Sequence, residues 1–114
     1  MEKAARCIAE DTKILVKKLF EETSIDGIYY SVQCVQDKML THAGHKKLVE
    51  PLDLDVLNYI NEFSNKTILH ICGYGKYTNN LSWYKDYPVA AYNWAVYSEN
   101  ITLGEGKKIL AISR

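Results

Sequence analysis

Apolar residues recur at three- and four-residue intervals in two parts of the chain, and this period predicts two helices. The first helix is expected over residues 3–22 and the second over residues 52–64, where Pro51 suits the first turn. Weaker helices are expected at 76–86 and 98–106, and a polar loop with a short helix at most is expected at 33–50. The first helix is expected to present an apolar stripe of Ala5, Ile8, Leu15, Val16, Leu19 and Phe20.

Four short runs rich in β-branched and aromatic residues predict strands at 28–32, 67–72, 89–94 and 108–112. Because helices and strands alternate, the sequence predicts an α/β fold of four parallel βα units in a single domain, residues 1–114. The 114 residues fall far short of the roughly 250 of a complete (β/α)8 barrel. The pattern therefore leaves open a small α/β sheet or a part of a barrel.

Charge and cysteine content narrow the classes of function. The 14 basic and 14 acidic residues balance, so nothing in the net charge favours nucleic acid or an anionic membrane as a partner. No apolar run approaches the roughly 18–20 residues of a membrane span, and residues 1–11 do not resemble a secretory signal. The three cysteines are widely and irregularly spaced, which argues against a disulfide framework and favours a reducing, cytoplasmic setting.

A His-x-Cys pair lies in the second predicted strand, where TILHIC is followed by Gly73 and Gly75. Because side chains alternate along a strand, His70 and Cys72 are expected to share one face near the carboxyl end, where parallel sheets bind ligands. Imidazole and thiolate are both zinc ligands, but a catalytic zinc needs three protein ligands. The spacing alone leaves two interpretations open: part of a metal site, or polar positions in a buried strand.

Further candidate residues are polar or aromatic side chains near the ends of other strands. Tyr30 and Gln33 end the first predicted strand and Asn93 lies near the end of the third, so these three are candidate substrate-binding residues. Such residues can contact substrate or support metal ligands, but they can also cap backbone groups. His42 and His45 fall in the polar loop and are expected to be solvated surface residues.

Four segments, in order, resemble consecutive βα units in the second half of the uroporphyrinogen decarboxylase superfamily. They are DGIYYSVQ (26–33), TILHICG (67–73), PVAAYNWAV (88–96) and LGEGKKILAI (103–112), which together extend over nearly the whole chain. The resemblance implies that the chain is an internal or C-terminal-half segment of a partial TIM (β/α)8 barrel. It also implies that the whole protein is an enzyme of this superfamily and that the isolated segment is inactive.

Within that superfamily, the His-x-Cys pair is similar to a motif of the corrinoid-dependent methyltransferase-like branch. This resemblance implies that His70 and Cys72 are two zinc ligands, with a further cysteine expected beyond Arg114. The zinc would activate a small-molecule thiol to accept a methyl group from a methyl-corrinoid carried by a partner protein.

Two alternatives follow from the same resemblance. The first is a uroporphyrinogen decarboxylase, a tetrapyrrole carboxy-lyase of porphyrin biosynthesis that acts without metal. That chemistry needs cationic groups to bind propionates, and the basic residues here fall mostly on predicted helices and loops. The second is an inactive fragment that forms a homodimer or pairs with the missing half of the barrel, because an unclosed barrel exposes sheet edges and an apolar face.

Overall fold

Three short parallel strands, with helices before, between and after them, form the described part of the chain. A computed structural model describes residues 2–33, 40–73 and 78–111. A 3₁₀ helix at Leu81–Tyr84 precedes the last strand. The other elements, in chain order, are α1 (Glu2–Glu22), β1 (Tyr29–Val32), α2 (His42–Leu48), α3 (Glu50–Asn61), β2 (Ile68–Ile71), β3 (Ala91–Trp94), α4 (Val96–Glu99) and α5 (Leu103–Ile109).

The strands pair in the order β1-β2-β3, and both pairs are parallel. Ser31 of β1 lies beside His70 of β2, and His70 lies beside Asn93 of β3. The predicted α/β fold with parallel strands is therefore confirmed, and each of the first three strands lies within its predicted range.

Alternation along β2 separates a covered face of the sheet from an open one. Thr67, Leu69 and Ile71 are completely buried and point to the covered face, where the helices pack. Ile68 is 38% exposed and His70 is partly exposed. We call the other side of the sheet the open face; it carries Tyr29, Ser31, Ile68, His70, Ala91 and Asn93.

Helix α1 confirms the first predicted helix, but the predicted apolar stripe is only partly its packed side. Ala9 and Val16 are buried, whereas Ile8 and Leu15 are 67% and 56% exposed. Lys13 lies close to Asp55 of α3, with 3.0 Å between Nζ and Oδ2. The helix is therefore turned so that Ala9 and the Lys13–Asp55 ion pair face α3. Ile8 and Leu15 of the apolar stripe are exposed to solvent.

The prediction of a fourth strand at 108–112 is wrong over its described residues. Lys108 and Ile109 belong to α5, Leu110 is its buried C-cap, and residues 112–114 lie outside the described part. Thr102 and Glu105 form a capping box that starts this helix. A short apolar run such as KILAI fits a buried helix end as well as a strand, and the capping box decides between them here.

The weaker helical predictions are partly confirmed. The pattern at 98–106 corresponds to two short helices, α4 and α5, and the pattern at 76–86 corresponds to the 3₁₀ helix, with residues 76 and 77 outside the described part. Helix α2 forms within the predicted loop because the hydroxyl of Thr41 accepts a hydrogen bond from the amide of Gly44. Among residues 2–33, 40–73 and 78–111, no helix has the length and hydropathy needed to cross a membrane.

Candidate functional site

One side chain from each strand meets at the centre of the open face. The hydroxyl of Tyr29 lies 2.9 Å from Nδ1 of His70 and 3.0 Å from Oδ1 of Asn93. The same Nδ1 lies 2.5 Å from the Asn93 oxygen. The Tyr29 ring also stacks on the imidazole, with centroids 5.1 Å apart and planes at 23°. These contacts fix the position and the rotation of the His70 ring.

This arrangement favours one tautomer of neutral His70, the form with its proton on Nδ1. The carbonyl oxygen of Asn93 only accepts, so with this oxygen facing Nδ1 the contact is a hydrogen bond when Nδ1 carries the proton. The Tyr29 hydroxyl donates to the same oxygen. The other nitrogen, Nε2, therefore has a free lone pair and can act as a base or as a metal ligand. Metal-binding histidines in proteins are commonly held in this way through their second nitrogen.

Cys72 follows directly after β2, and alternation places it on the same face as His70. Its sulfur is a free thiol in a partly buried position. The amide of Cys72 donates to the carbonyl of Val32 at 2.8 Å, and its carbonyl accepts from Nδ2 of Asn79 at 3.0 Å. The backbone at Cys72 is therefore held on both sides.

The donor set fits zinc in type but is incomplete in number. His70 and Cys72 offer a nitrogen and a sulfur, the donors that zinc prefers. Within the described residues, no group of three or more His, Cys, Asp and Glu side chains is arranged to hold a metal. Cys34 lies outside the described residues, and Cys7 is exposed on α1.

The other predicted site residues are divided between the two faces. Asn93 belongs to the cluster with His70, and Gln33 is exposed directly after β1. Tyr30 lies on the covered side, where its hydroxyl donates to Asp53 at 2.9 Å. The structure therefore brings Asn93 to His70 and directs Tyr30 away from it.

Tyr30 belongs to a second polar group, beneath the sheet. Asp53 accepts hydrogen bonds from the hydroxyls of Tyr30 and Tyr87, at 2.9 and 2.8 Å. Burial raises the pKa of the Asp53 carboxyl, and the two hydrogen bonds oppose that rise. Burial and the nearby Asp53 carboxylate raise the pKa of Tyr87. This group links the sheet to α3. Its hydroxyl groups bond to its carboxylate, so no ligand is needed to explain its position.

The prediction that His45 is a solvated surface residue is wrong. His45 is completely buried against the rings of Trp83, Tyr84 and Tyr87, and neither of its ring nitrogens has a partner among the described residues. Desolvation lowers the pKa of His45. His42 is exposed, as predicted, and stacks on Trp83 with ring centroids 4.8 Å apart.

Tyr29 is the member of the cluster that the sequence did not single out. The signal for it was alternation: Tyr29, Ser31 and Gln33 share one face of β1, whereas Tyr30 lies on the other. Which of these faces His70 shares depends on the parallel register, and that register joins two segments about 40 residues apart.

Comparisons of the chain with protein-family models, with curated proteins and with solved structures find no match. Inferences about function therefore rest on the open face of the sheet and on the sequence resemblance.

Proposed function

We propose that this chain is a segment of a (β/α)8-barrel enzyme similar to the corrinoid-dependent methyltransferase-like branch of the uroporphyrinogen decarboxylase superfamily. In this proposal His70 and Cys72 are two protein ligands of a zinc ion that serves methyl transfer to a thiol. The observation that carries the proposal is the anchoring of His70 Nδ1 by Asn93 and Tyr29, which leaves Nε2 available to bind a metal.

The shape of the sheet supports the barrel part of the proposal. Its strands are parallel, and one face is packed by helices. In a barrel of this type, helices surround the sheet and the active site lies at the carboxyl ends of the strands. Cys72 directly follows β2 at that end, and Gly73 follows it.

Each residue of the site has a separate role in the proposed chemistry. His70 Nε2 and the Cys72 thiolate would hold the metal, while Asn93 and Tyr29 keep the imidazole in one tautomer and one orientation. Bound zinc would lower the pKa of a substrate thiol so that the nucleophilic thiolate exists at neutral pH. The acceptor is then a small-molecule thiol, and the donor is a methyl-corrinoid on a partner protein. A reducing, cytoplasmic location is part of this proposal, because the chemistry depends on free thiols.

The test is the metal content of the purified chain together with matched substitutions. The chain is loaded with Zn²⁺, desalted and analysed for bound metal, and the same is done for His70→Ala and Cys72→Ala. His42→Ala and Cys7→Ala are the controls, because both residues are exposed and lie outside the cluster. We expect both site variants to lose zinc and both controls to keep it. Equal zinc content in all five proteins, or none in any of them, would contradict the proposal.

The decarboxylase alternative has less support from the open face. Tetrapyrrole propionates require cationic partners, whereas the strand residues of the open face are Tyr, Ser, Ile, His, Ala and Asn. None of these six carries the permanent positive charge of Lys or Arg. Turnover of a tetrapyrrole by the full-length enzyme that survives both chelation and Cys72→Ala would favour this alternative.

A second candidate is assembly through the open face, because Tyr29 and Ile68 are 58% and 38% exposed there. Large apolar side chains grouped on a sheet face commonly mark a protein contact. In this case the chain forms a homodimer or pairs with the missing half of the barrel. Light scattering after gel filtration at several concentrations tests the homodimer, with Ile68→Lys expected to yield monomer. A monomeric mass for the unmodified chain at every concentration would contradict self-association.

A further inference from the structure

A buried carboxylate and a buried amide form a connected group next to Cys72. Glu99, the last residue of α4, is 5% exposed, and Asn79 is 7% exposed. The amide N–H of Asn79 donates to Oε2 of Glu99 at 2.7 Å, and Nδ2 of Asn79 donates to Oε1 at 2.8 Å. Both carboxylate oxygens therefore accept hydrogen bonds from the same residue.

Among the described residues, no ion pair explains why this carboxylate is buried. In the part of the chain that the structure describes, the three ion pairs all join residues of α1 to each other or to Asp55, and none includes Glu99. Burying a carboxylate is costly unless hydrogen bonds compensate for the lost water. Here the compensation comes from Asn79, so the two side chains fix each other's orientation.

The same Asn79 amide group extends this connection to the candidate site. Nδ2 donates to the carbonyl of Cys72 at 3.0 Å as well as to Glu99. A side-chain amide has two N–H groups, and this geometry uses one for each acceptor. Because Glu99 fixes one N–H, the second is directed at the Cys72 carbonyl. These hydrogen bonds thus connect Glu99 of α4 to Cys72, the residue that follows β2.

Close packing of the next residue limits movement of this segment. A Cβ on Gly73 would lie 3.0 Å from Cβ of Ala95 and 3.6 Å from Oε1 of Glu99. The backbone after Cys72 therefore passes close to the start of α4 and to the Glu99 carboxylate. With the amide of Cys72 bound to Val32, the peptide groups on both sides of the cysteine are held.

We propose that Glu99, acting through Asn79, is a positioning residue that holds the backbone of Cys72 so that its thiol stays on the His70 side of the sheet. Neither Glu99 nor Asn79 touches the metal or the substrate in this account. The inference rests on the proposed function for its purpose, because a fixed thiol is useful where it binds a metal. The positioning itself is a property of the backbone and is measured without metal.

The experiment uses the chain with Cys7→Ser and Cys34→Ser, so that Cys72 is the one thiol that reacts. Three forms are compared: this parent, Glu99→Gln, and the exchanged pair Glu99→Gln with Asn79→Asp. In Glu99→Gln a second amide replaces one acceptor of Asn79. In the exchanged pair, the new amide at position 99 can donate to the new carboxylate at position 79, so the contact between the two side chains returns. That carboxylate has no N–H to donate to the Cys72 carbonyl, so the link to the cysteine stays broken.

The first readout is the rate at which iodoacetamide alkylates Cys72, beside thermal stability. We expect the exchanged pair to regain stability relative to Glu99→Gln and yet to be alkylated severalfold faster than the parent. The inference is overturned if the folded exchanged pair is alkylated at the same rate as the parent. It is also overturned if the alkylation rates of the three forms simply rank in the order of their thermal stabilities. If Glu99→Gln does not fold, the exchanged pair and the parent make the same comparison.

The second readout is affinity for Co²⁺, a spectroscopic substitute for Zn²⁺, measured for the parent and the exchanged pair with Cys7 and Cys34 restored; it separates this inference from the proposed function. Loss of a supporting hydrogen bond around a metal ligand commonly lowers affinity about 10-fold or more, and we expect a loss of that size in the exchanged pair. A parent that binds no Co²⁺ contradicts the proposed function, while faster alkylation in the exchanged pair would still support the positioning of Cys72. An exchanged pair that binds Co²⁺ as tightly as the parent overturns the positioning instead.

Discussion

Nδ1 of His70 lies 2.5 Å from Oδ1 of Asn93, its direct neighbour across the parallel pairing of β2 and β3. The contact joins a residue that the sequence indicated as a metal ligand to one that it indicated as a substrate contact. The structure gives Asn93 a further role, because its oxygen favours the tautomer of neutral His70 with the proton on Nδ1. Because the register of β2 and β3 places Asn93 beside His70, it also leaves Nε2 available.

Replacing Asn93 tests that relationship directly. In the unmodified chain at a pH where His70 is neutral, we expect long-range ¹H–¹⁵N spectra to show a protonated Nδ1 and an unprotonated Nε2. Asn93→Ala removes the acceptor, so the Nε2–H tautomer should gain population. Asn58→Ala, at an exposed position of α3, is the control and should leave the spectrum unchanged. A protonated Nε2 in the unmodified chain would contradict the assignment.

Buried His45 gives the stability of the fold a pH dependence. Desolvation lowers its pKa in the folded state; nearby His42 also lowers it, and Glu50 opposes the change. The unfolded chain therefore binds more protons below the ordinary histidine pKa of about 6.5, and stability falls as pH decreases through that value. Each pH unit costs up to about 1.4 kcal/mol while the difference of one proton persists.

Urea denaturation between neutral and mildly acidic pH measures this dependence. His45→Leu should reduce the loss of stability on acidification, because the group that must gain a proton is absent. His42→Leu, which changes the exposed neighbour, should retain most of the loss. Equal pH dependence in the unmodified chain and in His45→Leu would show that His45 is not its source.

Two glycines of α5 should respond in opposite directions to the same substitution. A Cβ at Gly106 would lie 2.2 and 2.3 Å from ring atoms of Trp94, whereas the nearest atom to a Cβ at Gly104 is Oγ1 of Thr102 at 4.0 Å. Gly106→Ala should lower the free energy of unfolding by about 1–3 kcal/mol through overpacking. Gly104→Ala should raise it by about 0.5–1 kcal/mol, because alanine favours a helix. Equal effects in chemical denaturation would indicate that α5 does not pack on Trp94 in this way.

Periodicity and alternation were sufficient to predict α1, α3 and the first three strands. These features depend on neighbours within a few residues, as the buried Leu69 and Ile71 beside the partly exposed His70 illustrate. The prediction at 108–112 failed because a run of five residues does not distinguish a strand from a helix end, and the capping box that decides it lies upstream at Thr102.

The partners of His70 could not be predicted in full because they depend on pairing between distant segments. Asn93 was singled out, but Tyr30 was named where Tyr29 completes the cluster. Neighbouring residues of β1 point to opposite faces of the sheet, so a shift of one residue selects the wrong side chain. His45 was misassigned for a similar reason: the aromatic rings that bury it come from residues 83–87, about 40 positions later.

X-ray absorption at the zinc edge of the zinc-loaded chain tests the central claim most directly, because it identifies the atoms bound to the metal. If His70 and Cys72 bind the ion, the spectrum contains sulfur at about 2.3 Å and imidazole nitrogen at about 2.0–2.1 Å. The sulfur contribution should disappear in Cys72→Ser and persist in Cys7→Ser. A spectrum with oxygen and nitrogen neighbours alone, or a sulfur contribution that survives Cys72→Ser, would contradict the account.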